Sequence, residues 1–202
     1  MIHLSINTAI EPYGIGVFED EKFLGGFLWN FSESKKNLHF VFLESLLNDL
    51  KISRNDFEFI TIIGGPGSFT GLRIGFTVAK AIGFVRGIPL VVPSTFEILK
   101  HIAKVGSLFV INAGLGEVFV SDGDKVEIMK FEDLKKMDRI LIFPERNLFI
   151  KVGKGINITI PISDVGKIGF YKYNKGEIVD YKNALPYYMR DTKSIFKPYK
   201  EE

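Results

Sequence analysis

Gly64-Gly65-Pro66-Gly67-Ser68-Phe69-Thr70-Gly71-Leu72-Arg73-Ile74-Gly75 follows an apolar run, Phe57 to Ile63, and opens a helical pattern from about Thr70 to Val85. A glycine-rich step from strand to helix suits a phosphate, because free N–H groups at a helix start attract anions. The spacing excludes two common versions. A Walker loop needs Gly, four residues, then Gly-Lys-Ser/Thr. Counting from Gly64, Gly65 or Gly67 places Phe69, Thr70 or Leu72 where the second glycine belongs. The dinucleotide pattern counted from Gly65 meets Thr70 instead of glycine. No acid stands about 20 residues on, between Ala81 and Pro89. What remains is a possible anion-binding loop of Gly65, Gly67, Ser68 and Thr70, set against a plain tight turn. Ser68 or Thr70 can cap the helix, and Arg73 sits in its first turn.

The helix that follows has a second peculiarity. Gly71, Gly75, Ala79 and Gly83 recur at intervals of four, on one stripe. Glycine inside a helix costs up to about 1 kcal/mol against alanine, so the stripe needs a reason. Small residues let another backbone approach closely. That backbone belongs either to the chain's own sheet or to a partner's helix.

Working outward, Ile2 to Thr8, Tyr13 to Glu19 and Lys22 to Asn30 read as strands joined by short turns, hence antiparallel neighbours. A helix is predicted from about Lys35 to Leu50, with Phe42, Leu43, Leu46, Leu47 and Leu50 on its apolar side. After the glycine loop and its helix, Leu90 to Val92 is a short strand. Ser94 and Glu97 form a capping box for a helix from Thr95 to Lys104. The order then repeats. Ser107 to Asn112, Glu117 to Ser121 and Lys125 to Lys130 read as strands, Glu132 to Met137 as a helix, and Ile140 to Phe143 as a strand. Letters match weakly too: Ser5-Ile6-Asn7-Thr8-Ala9 against Val110-Ile111-Asn112-Ala113-Gly114. A duplication of this kind gives two α/β lobes, each a mixed sheet with helices, and a cleft between them. The lobes are expected at 1–104 and 105–202.

The bulk numbers fit a soluble domain of this size: 202 residues, 46% hydrophobic, 25% charged. A net charge of +2 is too small to argue for nucleic-acid binding by bulk electrostatics. The absence of cysteine excludes disulfides and thiol chemistry. The start, MIHLSINTAIEP, lacks the pattern of a signal peptide, and no segment approaches a membrane span. A cytoplasmic protein without membrane contact is expected.

Catalytic groups are scarce. His39 would need a second histidine at position 43 for a helical metal site, and Leu43 stands there. Ser68 lies in no nucleophile motif with an identifiable partner. Two-lobed ATP-using proteins place an Asp at the end of each first strand. Here those positions are Asn7 and Asn112, which lack the charge that holds Mg²⁺.

GPGSFTGLRIG at Gly65 to Gly75, followed by Ala79-Lys80-Ala81, resembles the TsaB (YeaZ) family. So do Leu4-Ser5-Ile6-Asn7-Thr8-Ala9, His39, Pro93-Ser94-Thr95, the stretch Asn112 to Phe119, and Pro186-Tyr187-Tyr188-Met189-Arg190. The resemblance implies the two-lobed actin-like, Hsp70-like ATPase fold and a part in making threonylcarbamoyladenosine in tRNA. It implies a non-catalytic subunit without cofactor or metal, pairing with a catalytic TsaD-like subunit through helices of the first lobe. It further implies a TsaE-like small ATPase docking on the pair, a homodimer when the chain is alone, and tRNA reached only through the complex. The alternative is an ATP-binding enzyme of the same fold. On the resemblance, the partner-facing residues are His39, Phe42, Leu43 and Leu46 of the first helix, with Gly71, Leu72, Arg73, Gly75, Phe76 and Ala79 of the second. Gly75→Leu is then expected to abolish pairing and spare the fold. The family's Asp and its Asp-Ala-Arg-Arg are replaced by Asn7 and Asn112-Ala113-Gly114-Leu115.

Overall fold

A computed structural model describes residues 1–30, 38–103 and 106–189; the side chains at 38–40 also fall outside the described set. Three antiparallel strands come first: β1 (Ile2–Asn7), β2 (Tyr13–Glu19) and β3 (Lys22–Trp29). Helix α1 (Leu38–Leu50) leads to β4 (Phe57–Ile62), which lies parallel to β1. Helix α2 (Phe69–Arg86), β5 (Leu90–Val91) and α3 (Thr95–Ile102) complete the first set. The second set is β6 (Leu108–Gly114), β7 (Glu117–Ser121), β8 (Val126–Lys130), α4 (Phe131–Leu134), β9 (Leu141–Phe143), α5 (Arg146–Val152), β10 (Ile156–Asn157) and α6 (Ile162–Asn174).

The sheets run β3-β2-β1-β4-β5 and β8-β7-β6-β9-β10. The strand order is the same in both, so the duplication inferred from a few letters holds as topology. The capping box is also present. Ser94 Oγ accepts the Glu97 N–H at 3.1 Å, and Glu97 Oε2 accepts the Ser94 N–H at 2.6 Å.

Strand alternation sorts the core into layers. In the first sheet Leu4, Ile6, Ile60 and Ile62 share one face, toward α1 and α2, and Ile62 is the sheet residue nearest Gly75. His3, Ser5, Phe59 and Thr61 point to the opposite face, which α6 covers. In the second sheet Val110, Val118 and Val120 pack with Leu134, Leu148 and Val152 of α4 and α5. Phe109, Ile111, Phe119 and Ile142 point inward and join one continuous core with Phe96, Ile98 and Leu99 of α3 and with Ile162, Val165 and Ile168 of α6.

The expected division is at 104/105. Residues 104 and 105 lie outside the described set, but the chain beyond about Ile160 does not stay with the second sheet. Helix α6 lies against β1, β2 and β4. Residues 178–189 follow as a strap on the first lobe, where Val179 and Leu90 exchange backbone hydrogen bonds of 2.8 and 2.9 Å. The first lobe is built from both ends of the chain, because α6 closes the face of its sheet that α1 and α2 leave open.

Candidate functional site

Helix α2 starts where Ser68 Oγ accepts the Gly71 N–H at 3.1 Å and ends at Gly87, in the left-handed region. Its stripe of small residues faces inward. A Cβ at Gly71 would overlap the carbonyl oxygen of Thr8, and one at Gly75 would overlap Thr8 Oγ1 and lie 2.9 Å from Ile62 Cδ1. At Gly83 it would meet Tyr181 of the strap at 2.9 Å. The close approach is to the end of β1 and to the strap.

The residues expected to face a partner are placed as follows. Gly71, Leu72, Gly75, Phe76 and Ala79 are buried, as are Leu43 and Leu46. Phe42 is half-buried, stacked on Phe27 at 4.8 Å and against Trp29 at 5.2 Å. The His39 side chain lies outside the described residues. Of the ten, Arg73 is the residue that stands exposed among those described; its guanidinium lies 4.8 Å from the centre of the Phe69 ring. The outward face of α2 is a different stripe: Arg73, Ile74, Thr77, Ala81 and Phe84, with Val85 beside it. Phe84 is 68% exposed and Val85 77%, so this face is apolar as well as free. The three-and-four spacing of these residues was the available signal.

The glycine loop is tied to its neighbours. The Gly64 N–H donates to the Pro93 carbonyl (2.8 Å) and the Ser68 N–H to the Ala9 carbonyl (2.7 Å). Thr95 holds it from the other side, its N–H on the Gly65 carbonyl (2.8 Å) and its hydroxyl on the Pro66 carbonyl (2.6 Å). Gly67 abuts the Ala9 carbonyl, and Gly65 faces Leu72 and Tyr187. The four residues of the expected anion loop thus do not converge: Ser68 lines the cleft, while Thr70 is exposed on the helix.

That cleft, of about 950 Å³, opens between the lobes at the carboxyl ends of β1 and β6, where ligands of open α/β sheets bind. Asn112 lines it, and Asn7 lies buried at the end of β1. Asn7 is 1% exposed and every hydrogen-bonding position of its amide is engaged. Its Oδ1 accepts from Ala9 N (3.1 Å) and Ile10 N (3.3 Å), and its Nδ2 donates to the Ile10 (2.9 Å) and Pro12 (3.0 Å) carbonyls. Asn112 repeats the turn in the second lobe, its Oδ1 accepting from Gly114 N at 2.9 Å. Its own N–H donates to Glu145 Oε2 at 2.6 Å.

Sequence reading missed the other cleft walls: Tyr13 and Asn30 of the first lobe, Glu145, Arg146 and Lys151 of the second. Burial pushes the Glu145 carboxyl up, with the Asn112 N–H pulling it down and the charge of Glu11 adding to the rise. Burial likewise raises the Tyr13 hydroxyl, against a hydrogen bond with Ser68. Among the described residues, no group of three or more His, Cys, Asp or Glu side chains is placed to hold a metal ion. No helix among them is long and apolar enough to cross a membrane.

A family model described as TsaD, tRNA N6-adenosine threonylcarbamoyltransferase, matches residues 34–180. The tRNA threonylcarbamoyladenosine biosynthesis protein TsaB of Bacillus subtilis is 28% identical over 160 residues, covering 71% of this chain and 70% of that protein. TsaB of Buchnera aphidicola (from Schizaphis graminum) is 28% identical over 162 residues, covering 68% and 75%. Among solved structures, YeaZ from Pseudomonas aeruginosa superposes with a TM-score of 0.74 at 17% identity, over 93% of this chain and 99% of that one. The fold is the two-lobed actin-like one.

Proposed function

We propose, for a chain that belongs to the TsaD family of tRNA N6-adenosine threonylcarbamoyltransferases and within it to the TsaB/YeaZ group, the role of a non-catalytic partner subunit. It acts in tRNA threonylcarbamoyladenosine biosynthesis. It supports a TsaD-like catalytic subunit in the cytoplasm, with a TsaE-like small ATPase docking on the pair and tRNA reached through the complex. Alone, it pairs with its own copy through the same face. The observation that carries the reading is the outer face of α2, where Ile74, Phe84 and Val85 stand exposed on a helix whose inner stripe is already packed. Apolar residues left in water beside an exposed Arg73 mark an interface.

Asn7 supports the non-catalytic half of the reading. Both Nδ2 hydrogens point at carbonyl oxygens, so an Asp here would set a carboxylate against them rather than toward a metal.

Ile74→Asp tests the docking face. It should weaken pairing with the transferase subunit of the same genome by about a hundredfold and move stability by less than about 1 kcal/mol. Titration calorimetry and urea unfolding read the two effects. Pairing at wild-type affinity would remove α2 from the interface.

The cleft favours one rival, an ATP-binding enzyme. Calorimetry with ATP and Mg²⁺ on the lone chain is expected to give no binding tighter than about 1 mM. A micromolar isotherm would revive the enzyme reading.

A further inference from the structure

The interlobe cleft holds charges of both signs that the chain leaves unmatched. Glu145 and Arg146 stand side by side where β9 leads into α5, and both line the cleft. The Glu145 carboxylate is held in place, its Oε2 accepting the Asn112 N–H at 2.6 Å. Burial raises this carboxyl, the Asn112 N–H opposes the rise, and the charge of Glu11 on the facing lobe adds to it. Among the described residues no cation pairs with it. The Arg146 guanidinium is exposed and, among the described residues, makes no hydrogen bond, ion pair or ring contact. Lys151, on the same helix, also lines the cleft, its ammonium 4.8 Å from the centre of the Phe131 ring.

These charges narrow the ligand. A purely anionic ligand would meet the carboxylates of Glu11 and Glu145. A purely cationic one would meet Arg146 and Lys151. A metal ion lacks ligands, since no group of three or more His, Cys, Asp or Glu among the described residues is placed to hold one. A molecule with both an ammonium and a carboxylate satisfies both signs at once. A guanidinium takes a carboxylate through two parallel hydrogen bonds. Asn147, Asn157 and Thr159 line the same wall and offer amides and a hydroxyl to a polar substituent. At about 950 Å³ the cleft admits a side chain of any natural size.

We propose that the second-lobe wall of the cleft binds a small zwitterion, a free α-amino acid. Its ammonium lies on Glu145 and its carboxylate on Arg146, with Lys151 adding positive charge. None of the outward residues of α2 lines this cleft, so the site does not depend on the pairing role.

Titration calorimetry of the full chain with the common L-amino acids should find at least one that binds with Kd below about 1 mM. Its N-acetyl and methyl-ester forms, each with one charge removed, should bind at least about tenfold more weakly. Glu145→Gln keeps an oxygen for the Asn112 N–H, and Arg146→Gln changes an exposed side chain. Each should weaken binding about tenfold with an unchanged urea midpoint. Should Glu145→Gln lower that midpoint, Arg146→Gln alone decides. The proposal falls if no amino acid binds below about 1 mM, or if Arg146→Gln binds like wild type. It also falls if the N-acetyl form binds as well as the free amino acid, which would make this a site for anions. A micromolar ATP isotherm that Arg146→Gln abolishes would make it a nucleotide site instead.

Discussion

Gly71→Ala should lower the free energy of unfolding by about 3 kcal/mol, the upper range for forcing an extra group into a packed core. In an ordinary helix the same change would gain up to about 1 kcal/mol. The sign reverses because the new Cβ would overlap the carbonyl oxygen of Thr8. That oxygen is backbone at the end of β1, in the turn that Asn7 pins through Ala9, Ile10 and Pro12. It cannot swing aside as a flexible side chain would, so the strand end or the helix must shift. Gly75 faces Thr8 Oγ1 and Ile62, and Gly75→Leu should unfold the first lobe rather than probe docking. Urea denaturation of Gly71→Ala beside Ile74→Asp checks the contrast. An unchanged midpoint for Gly71→Ala would mean that β1 and α2 are not locked together.

The glycine stripe shows how far the sequence could be read. Spacing of four revealed a close approach, and the structure has one. Its direction was not legible, because α2 is apolar on both sides: Val78 and Ala79 go inward, Ile74 and Phe84 outward. A helix with two apolar faces has no polar side to orient it. The first lobe's strands and the repeat were legible because alternation and short turns are local. Helix α6 was not. Gly166 and Gly169 interrupt its pattern, and both are needed because Phe18 and Thr61 lie directly beneath them. The return of α6 to the first sheet is a long-range event that no local signal carries.

The candidate site divides in the same way. Asn7 and Asn112 were legible as a pair, since the repeat aligns them. That both amides brace their own turns appears only in three dimensions. Glu145 stands in the loop after β9, the counterpart of the glycine loop after β4, so the repeat marks its position. Tyr13, Asn30 and Lys151 reach the same cleft from separate elements and share no spacing.

His3 supplies a second large effect. Its ring is fully buried on the inner face of β1, stacked on Phe59 at 4.3 Å and Phe18 at 5.0 Å, with Phe170 at 6.0 Å. Nε2–H donates to the Asp20 carbonyl at 2.8 Å, and among the described residues Nδ1 is buried with no partner. Burial lowers its pKa to about 4, against the smaller upward pull of the Asp20 carbonyl and carboxylate. The Met1 ammonium adds to the lowering. The unfolded chain takes up this proton near pH 6.5, while the native state resists it until about 4. Between those values the unfolded state binds more protons, so stability falls as pH falls. The loss should reach about 2 kcal/mol at pH 5 and about 3 kcal/mol at pH 4. Above pH 6.5 His3 contributes no slope. In His3→Phe the ring stays among its neighbours and the proton site is gone. Glu97 and Glu145 still titrate in the variant, so the difference between the two stability curves isolates His3. That difference, from urea unfolding at half-unit steps between pH 7 and 4, should open below 6.5 and level off near 4. Parallel curves would mean that the buried imidazole takes its proton without loss.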